Sequence, residues 1–147
     1  MKQATMINSK TFLSGMTLLE LTVVILVLLS LISILFIGAR AWKKGSDRAA
    51  SILQIRQVQQ AVRSYSNLNG KNPGDNDPNL RLQIFGAGRF IEVDPTITSH
   101  PAGGAYTYEI ATPTSIPDLG ELYMKTGGTG LEPASYYDPE PATIQAW

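Results

Sequence analysis

Ser14-Gly15-Met16-Thr17-Leu18-Leu19-Glu20-Leu21 opens an apolar run that continues without another charge to Ala39. Leu21 to Ala39 gives 19 uncharged residues, about 28 Å of helix at roughly 1.5 Å rise per residue, which suffices to cross the hydrocarbon core of a bilayer. A carboxylate carried into lipid costs about 2.5–3.5 kcal/mol on insertion scales, so an acid at the mouth of such a segment needs a partner and a purpose. The purpose of Glu20 is the first question this chain poses.

Beyond Ala39 the helical signal does not stop. Residues 16–69 contain no proline and are rich in Leu, Ala, Gln and Arg, which predicts one continuous helix. Its first half is apolar on every side. In its second half Ile52, Ile55, Val58, Val62, Tyr65 and Leu68 recur at spacings of three and four, with Gln54, Arg56, Gln57, Gln60 and Arg63 on the other face. Ile55, Val58, Val62 and Tyr65 are the predicted core contacts between this helix and the rest of the chain. Asn69-Gly70, followed by Pro73, supplies the stop. A helix of this length, about 80 Å, is more than a domain this small can bury. Lipid, its own domain and other molecules must share it.

From Lys71 onward the character changes, for all nine prolines and nine of the thirteen glycines lie there. Ala105–Ile110 and Gly120–Lys125 read as short strands bounded by Gly or Pro, and Arg89–Val93 as a weaker third. The predicted fold is therefore α+β. A long N-terminal helix, apolar and then amphipathic, packs on a small C-terminal antiparallel β-sheet with long loops. Such a sheet would be marginal alone, and the amphipathic helix face completes its core.

The formal charge is zero, but its distribution is not even. Arg40 to Lys71 holds seven basic residues against the single acid Asp47, while Asn72 to Trp147 holds three basic residues against ten acids. A basic stem facing acidic domains of neighbouring copies would assist assembly. No cysteine is present, which excludes disulfides and thiolate metal sites. Lys2 and Lys10, with no acid in residues 1–15, suit a cytoplasmic start. The basic residues just past Ala39 lie at the other end, so the topology rests on this leader and on the motif that follows it.

Ser14-Gly15-Met16-Thr17-Leu18-Leu19-Glu20-Leu21 resembles the cleavage and methylation site of type IV prepilins and type II secretion pseudopilins. The resemblance is specific from Gly15 to about Ile37 and extends in architecture to Pro73. It implies that a prepilin peptidase cuts after Gly15 on the cytoplasmic side of the membrane, and that the new amino terminus, Met16, is N-methylated. It makes Glu20 the acid that aligns subunits, by neutralising the ammonium of Met16 in its own chain or in the next. The division that follows is residues 1–15 as prepilin leader, 16–41 as transmembrane and filament-core helix, 42–70 as the amphipathic continuation, and 71–147 as a β-rich globular head.

The function it implies is that of a pseudopilin or minor pilin, a structural subunit of a type IV pilus-like or type II secretion filament. Its implied place is the bacterial inner membrane, single-pass, with the C-terminal domain periplasmic, and then a periplasmic or cell-surface filament. The implied partners are copies of itself or other pilins, prepilin peptidase, an inner-membrane assembly platform and membrane lipid. Two departures stand out. The residue after the cut is usually phenylalanine in the family and here is Met16. Many members also carry a proline in the second half of the apolar segment, where this chain has Gly38, with Ser30 and Ser33 nearby, as a softer weak point.

Other readings fare less well. Ala39-Arg40-Ala41 fits a signal-peptidase pattern, but the apolar run is too long for a signal peptide and Glu20 would serve no purpose in one. The alternative that remains is a single-pass, membrane-anchored extracytoplasmic binding domain that does not polymerise. Nucleic acid is not expected as a partner, because the basic stretch lacks interleaved aromatics apart from Trp42. No catalytic motif is present, and His100, the single histidine, lies in a Ser-His-Pro-Ala-Gly-Gly loop, so no enzymatic activity is expected. No cofactor is expected either. Asp75, Asp77, Asp138 and Glu140 offer oxygen ligands for Ca²⁺, but their spacing matches no loop motif, and solvated turn acids are the preferred reading.

Overall fold

The computed structural model describes residues 17–98, 100–110, 113–128 and 133–145. The chain divides into two compact units, residues 1–40 and 41–147. One helix, α1 (Leu18–Leu68), supplies the described part of the first unit and the spine of the second. Its limits follow from side-chain chemistry at both ends. At the start, the Glu20 N–H donates to Thr17 Oγ1 at 3.3 Å, as in an N-cap. At the end, Gly70 takes φ 60° and the Lys71 N–H reaches back to the Ser66 carbonyl at 2.9 Å, a left-handed stop that the Asn69-Gly70 pair predicts.

In the second unit α1 lays one face against the rest of the domain. Ile55, Val58, Val62 and Tyr65 are all in the hydrophobic core, with Ile55 1 % and Val62 0 % exposed. Leu68, assigned by periodicity to the same stripe, is 76 % exposed, because the helix ends there and the chain turns away at Gly70. Opposite α1 lie the short helix α2 (Leu80–Ile84), the two strands β1 (Tyr106–Tyr108) and β2 (Met124–Thr126), and the terminal turn α3 (Pro141–Ile144). Leu80, Ile84, Ile116, Tyr123 and Met124 fill the space between.

The sheet is antiparallel and two-stranded, with Tyr106 opposite Thr126 and Tyr108 opposite Met124. β1 lies within the first sequence candidate, whereas β2 overlaps the second only at Met124 and Lys125 and runs one residue past it, to Thr126. Gly127 ends the ladder. A Cβ there would lie 2.9 Å from the Ala105 carbonyl oxygen and from Thr107 Cγ2, so only glycine permits this close approach. The third candidate, Arg89–Val93, forms no strand. It turns back on α2 through Gly86 (φ 132°) and Gly88 (φ 73°) and retains a single bridge between Phe85 and Ile91. The two glycines convert a strand pattern into a loop closed by Ile91 N–H to Ile84 O at 3.0 Å and Gly86 N–H to Ile91 O at 2.9 Å.

Candidate functional site

The first unit is chemically simple. An 18-residue window of α1 has a mean hydropathy of 3.0 and none of it is buried, so the helix is long and apolar enough to cross a membrane. Its hydroxyls are already satisfied along the helix. Thr22 donates to Leu19 O at 2.8 Å, Ser30 to Leu26 O at 2.6 Å and Ser33 to Leu29 O at 2.8 Å. Such back-bonding leaves these three hydroxyls without need of water, as a lipid environment requires. α1 is unbroken through Gly38 and the residues flanking it.

Gly15 and Met16, the predicted cleavage and methylation positions, lie outside the described residues. Glu20 stands at the third position of α1, with Thr17 as its cap, so Thr17-Leu18-Leu19-Glu20 has the spacing of a capping box. Among the described residues no hydrogen bond or ion pair involves its carboxylate. A carboxylate in the first turn is favoured by the helix dipole.

In the second unit the polar side chains tie the loops to α1. Gln59, 1 % exposed, donates through Nε2 to Glu121 O at 2.9 Å and accepts the Tyr123 N–H at Oε1, also at 2.9 Å. Its amide thus substitutes for a neighbouring strand. Arg63 donates to Pro117 O at 2.7 Å and Asp118 O at 2.9 Å. Gln54, placed by periodicity on the outer face, accepts from the Tyr106 hydroxyl. Gln57 and Gln60 are exposed as expected.

A second cluster centres on Asp94. Its Oδ2 accepts from Arg81 Nε at 2.8 Å and from the Tyr108 hydroxyl at 2.7 Å, and its Oδ1 accepts from the Thr96 backbone at 2.9 Å and hydroxyl at 2.7 Å. Burial works to raise the affinity of this carboxyl for a proton. The hydrogen bonds from Thr96, Tyr108 and Arg81 outweigh it and hold the group below the ordinary carboxylate range. Burial pushes Tyr108 up to about 12, and Tyr123 in the same direction. Every member has a partner within the chain.

The four calcium candidates have other work. Asp77 accepts from the Tyr65 hydroxyl at 2.7 Å and the Asn79 N–H at 3.0 Å, with Lys71 Nζ at 3.7 Å. The Tyr65 bond, more than any other contact, lowers its pKa. Asp75 caps the turn by accepting the Asn72 N–H at 2.7 Å, and Asp138 accepts the Thr126 N–H at 2.7 Å. Glu140 lies 3.8 Å from Arg48. Among the described residues no three acidic or histidine side chains form a group that could hold a metal ion.

The charge asymmetry is partly consumed inside the chain. Of the seven basic residues of the stem, Lys43 pairs with Asp47 at 2.7 Å, Arg48 with Glu140 and Lys71 with Asp77, and Arg63 is held by carbonyls. His100 is buried, and its Nδ1 accepts the Ala102 N–H at 3.1 Å, so Nε2 carries the proton and donates to Ser51 Oγ at 2.9 Å. No protein-family model, characterised protein or solved structure matches the chain. The structural class is a long apolar helix leading into a small α+β domain.

Proposed function

We propose that this chain is a structural subunit of a type IV pilus-like or type II secretion filament, a pseudopilin or minor pilin. It is cleaved after Gly15 by a prepilin peptidase and assembled through its N-terminal helix. The observation that carries the reading is the asymmetry of α1. Its amphipathic second half is the spine of a head domain, while its apolar first half buries nothing within the described chain. A helix of this kind is inserted in lipid before assembly and packs on its equivalents afterwards, which is the pilin-like use of an α+β layout. The motif at Gly15-Met16 and the carboxylate of Glu20, which has no partner among the described residues, support the same reading.

On this reading the work of the protein is mechanical and not catalytic. Among the described residues the carboxylates of Asp77 and Asp94 and the amide of Gln59 are held by partners within the head, which suits a rigid body repeated along a fibre. Mass analysis of the mature amino terminus tests the proposal. A chain beginning at Met16, with or without a methyl group, supports it; an intact leader, or a start at Trp42, overturns it. The Glu20→Ala variant separates a filament subunit from an anchored domain that never polymerises. Cleavage should persist while incorporation into filaments falls, and normal filament yield would remove the register role of Glu20.

A further inference from the structure

The start of the second unit, Ala41-Trp42-Lys43-Lys44, follows the apolar segment directly in sequence. Trp42 is 78 % exposed, a large ring with one polar edge left bare. Two turns of α1 at this level also gain a contact from far along the chain. The 3-10 turn Ala134–Tyr137 sets the Tyr136 ring 4.7 Å from Lys44 Nζ and 5.0 Å from the Arg48 guanidinium. Lys43 is also exposed, although it reaches Asp47. The Arg48–Glu140 contact at 3.8 Å is long and solvent-facing, so a stronger anion displaces it readily.

Tyr136 lies over Lys44 and Arg48, and Trp42 and Lys43 stand at the same level of α1 on other faces of the helix, a composition that suits a membrane–water boundary. Tyr and Trp sit at headgroup level there, and Lys and Arg meet lipid phosphates. On the proposed topology these cations lie on the translocated side, where they do not help to set orientation. They therefore call for another role.

We infer that Lys44, Arg48 and Tyr136 form a seat for anionic phospholipid headgroups in the leaflet facing the head domain, with Trp42 and Lys43 at the same depth around the helix. The inference rests on the membrane anchorage of the functional reading and not on polymerisation. In the seat, Lys44 and Arg48 bind the phosphate and the Tyr136 ring keeps the two cations side by side; around the helix, Trp42 lies at the acyl boundary.

The test uses the full chain with Trp147→Phe, which leaves Trp42 as the one tryptophan, reconstituted in phosphatidylcholine vesicles containing phosphatidylglycerol. Bromine is placed on the acyl chains of one lipid or the other at equal mole fraction. Brominated phosphatidylglycerol should quench Trp42 about twofold more than brominated phosphatidylcholine, and the excess should vanish at high salt, as screening of headgroup contacts requires. Lys44→Gln with Arg48→Gln should abolish the excess, and Tyr136→Ala should reduce it. Equal quenching by the two lipids in the unmodified seat overturns the inference while leaving anchorage intact. Quenching by neither lipid overturns both. The lipid comparison needs no variant in the seat, so a misfolded mutant does not blur it.

Discussion

The two halves of α1 share one helix and differ in everything that touches it. The first half is the more apolar, yet its most hydrophobic window is wholly unburied. The second half is studded with Gln, Arg and Ser, yet Ser51, Ile55, Val58, Gln59 and Val62 are almost completely enclosed. Helix formation is common to both, so propensity decides neither fate. What decides is whether apolar positions fall on one side, where a small domain can cover them, or all round, where only lipid or other helices can.

Core truncation gives this comparison its sharpest test. Ile55→Ala removes a fully enclosed side chain between α1 and the strands, and should destabilise the head by about 3 kcal/mol, within the range for buried Ile→Ala changes. The same change at Ile25 should leave head stability unchanged, because nothing in the described chain covers that residue. Urea unfolding in detergent, followed by near-UV circular dichroism, reads the head selectively, since all six tyrosines lie beyond residue 64. Equal losses from the two substitutions would mean that the halves are not energetically separate.

Gln59→Leu comes next. Leucine nearly fills the same volume but leaves the Tyr123 N–H and the Glu121 carbonyl without partners, which should cost about 1–3 kcal/mol. The matching change at Gln57, which is exposed, should cost almost nothing. The contrast between two glutamines two residues apart reads the helix face directly.

Much of this was legible in the sequence, and the exceptions have physical causes. Periodicity found Ile55, Val58, Val62 and Tyr65, because enclosure of apolar side chains is what spacing reports. It assigned Leu68 inward because it cannot see that the chain leaves the core one turn later. It ignored Gln59, since a buried amide looks like any surface glutamine until its strand-like partners are known. The Asp94 cage joins Arg81, Thr96 and Tyr108, a set with no common spacing. Arg89–Val93 carried the alternation of a strand, but Gly86 and Gly88 bend the chain before pairing can extend. Gly15 and Met16 remain a statement of sequence alone.

Acid should weaken only the second unit, and in two stages. His100 is enclosed by Ser51 of α1, Tyr106 and Tyr137, with the carboxylates of Asp47 and Asp138 near enough to favour its charged form. Burial prevails over those two acids and lowers its pKa from the ordinary 6.5. The unfolded chain therefore binds the proton first. Stability is full above about 6.5 and falls as the pH drops toward the folded-state value, by at most about 1.4 kcal/mol per pH unit. Asp77 and Asp94, both lowered from 3.8, begin the second loss only below that value. Urea midpoints between pH 7.5 and 3 should show both stages. His100→Gln should erase the first stage and keep the second, and an unaltered first stage would exonerate the histidine.

The smallest expected effect separates two uses of one residue. Glu20 sits in the first turn of α1, three residues after Thr17, so its carboxylate suits the helix end locally, and on the proposed function it also pairs with a cation. Glu20→Gln keeps a side chain able to complete the capping box and removes only the charge. Thr17→Ala does the reverse, losing the cap and keeping the charge. If the charge aligns subunits, the glutamine variant should match Glu20→Ala in lost filament incorporation while its helical circular dichroism in detergent stays at the parent level. Thr17→Ala should show a slight loss of helicity with filaments still formed. Filaments from the glutamine variant at full yield would reduce Glu20 to a helix cap, and the first half of α1 would then carry no chemical marker of register at all.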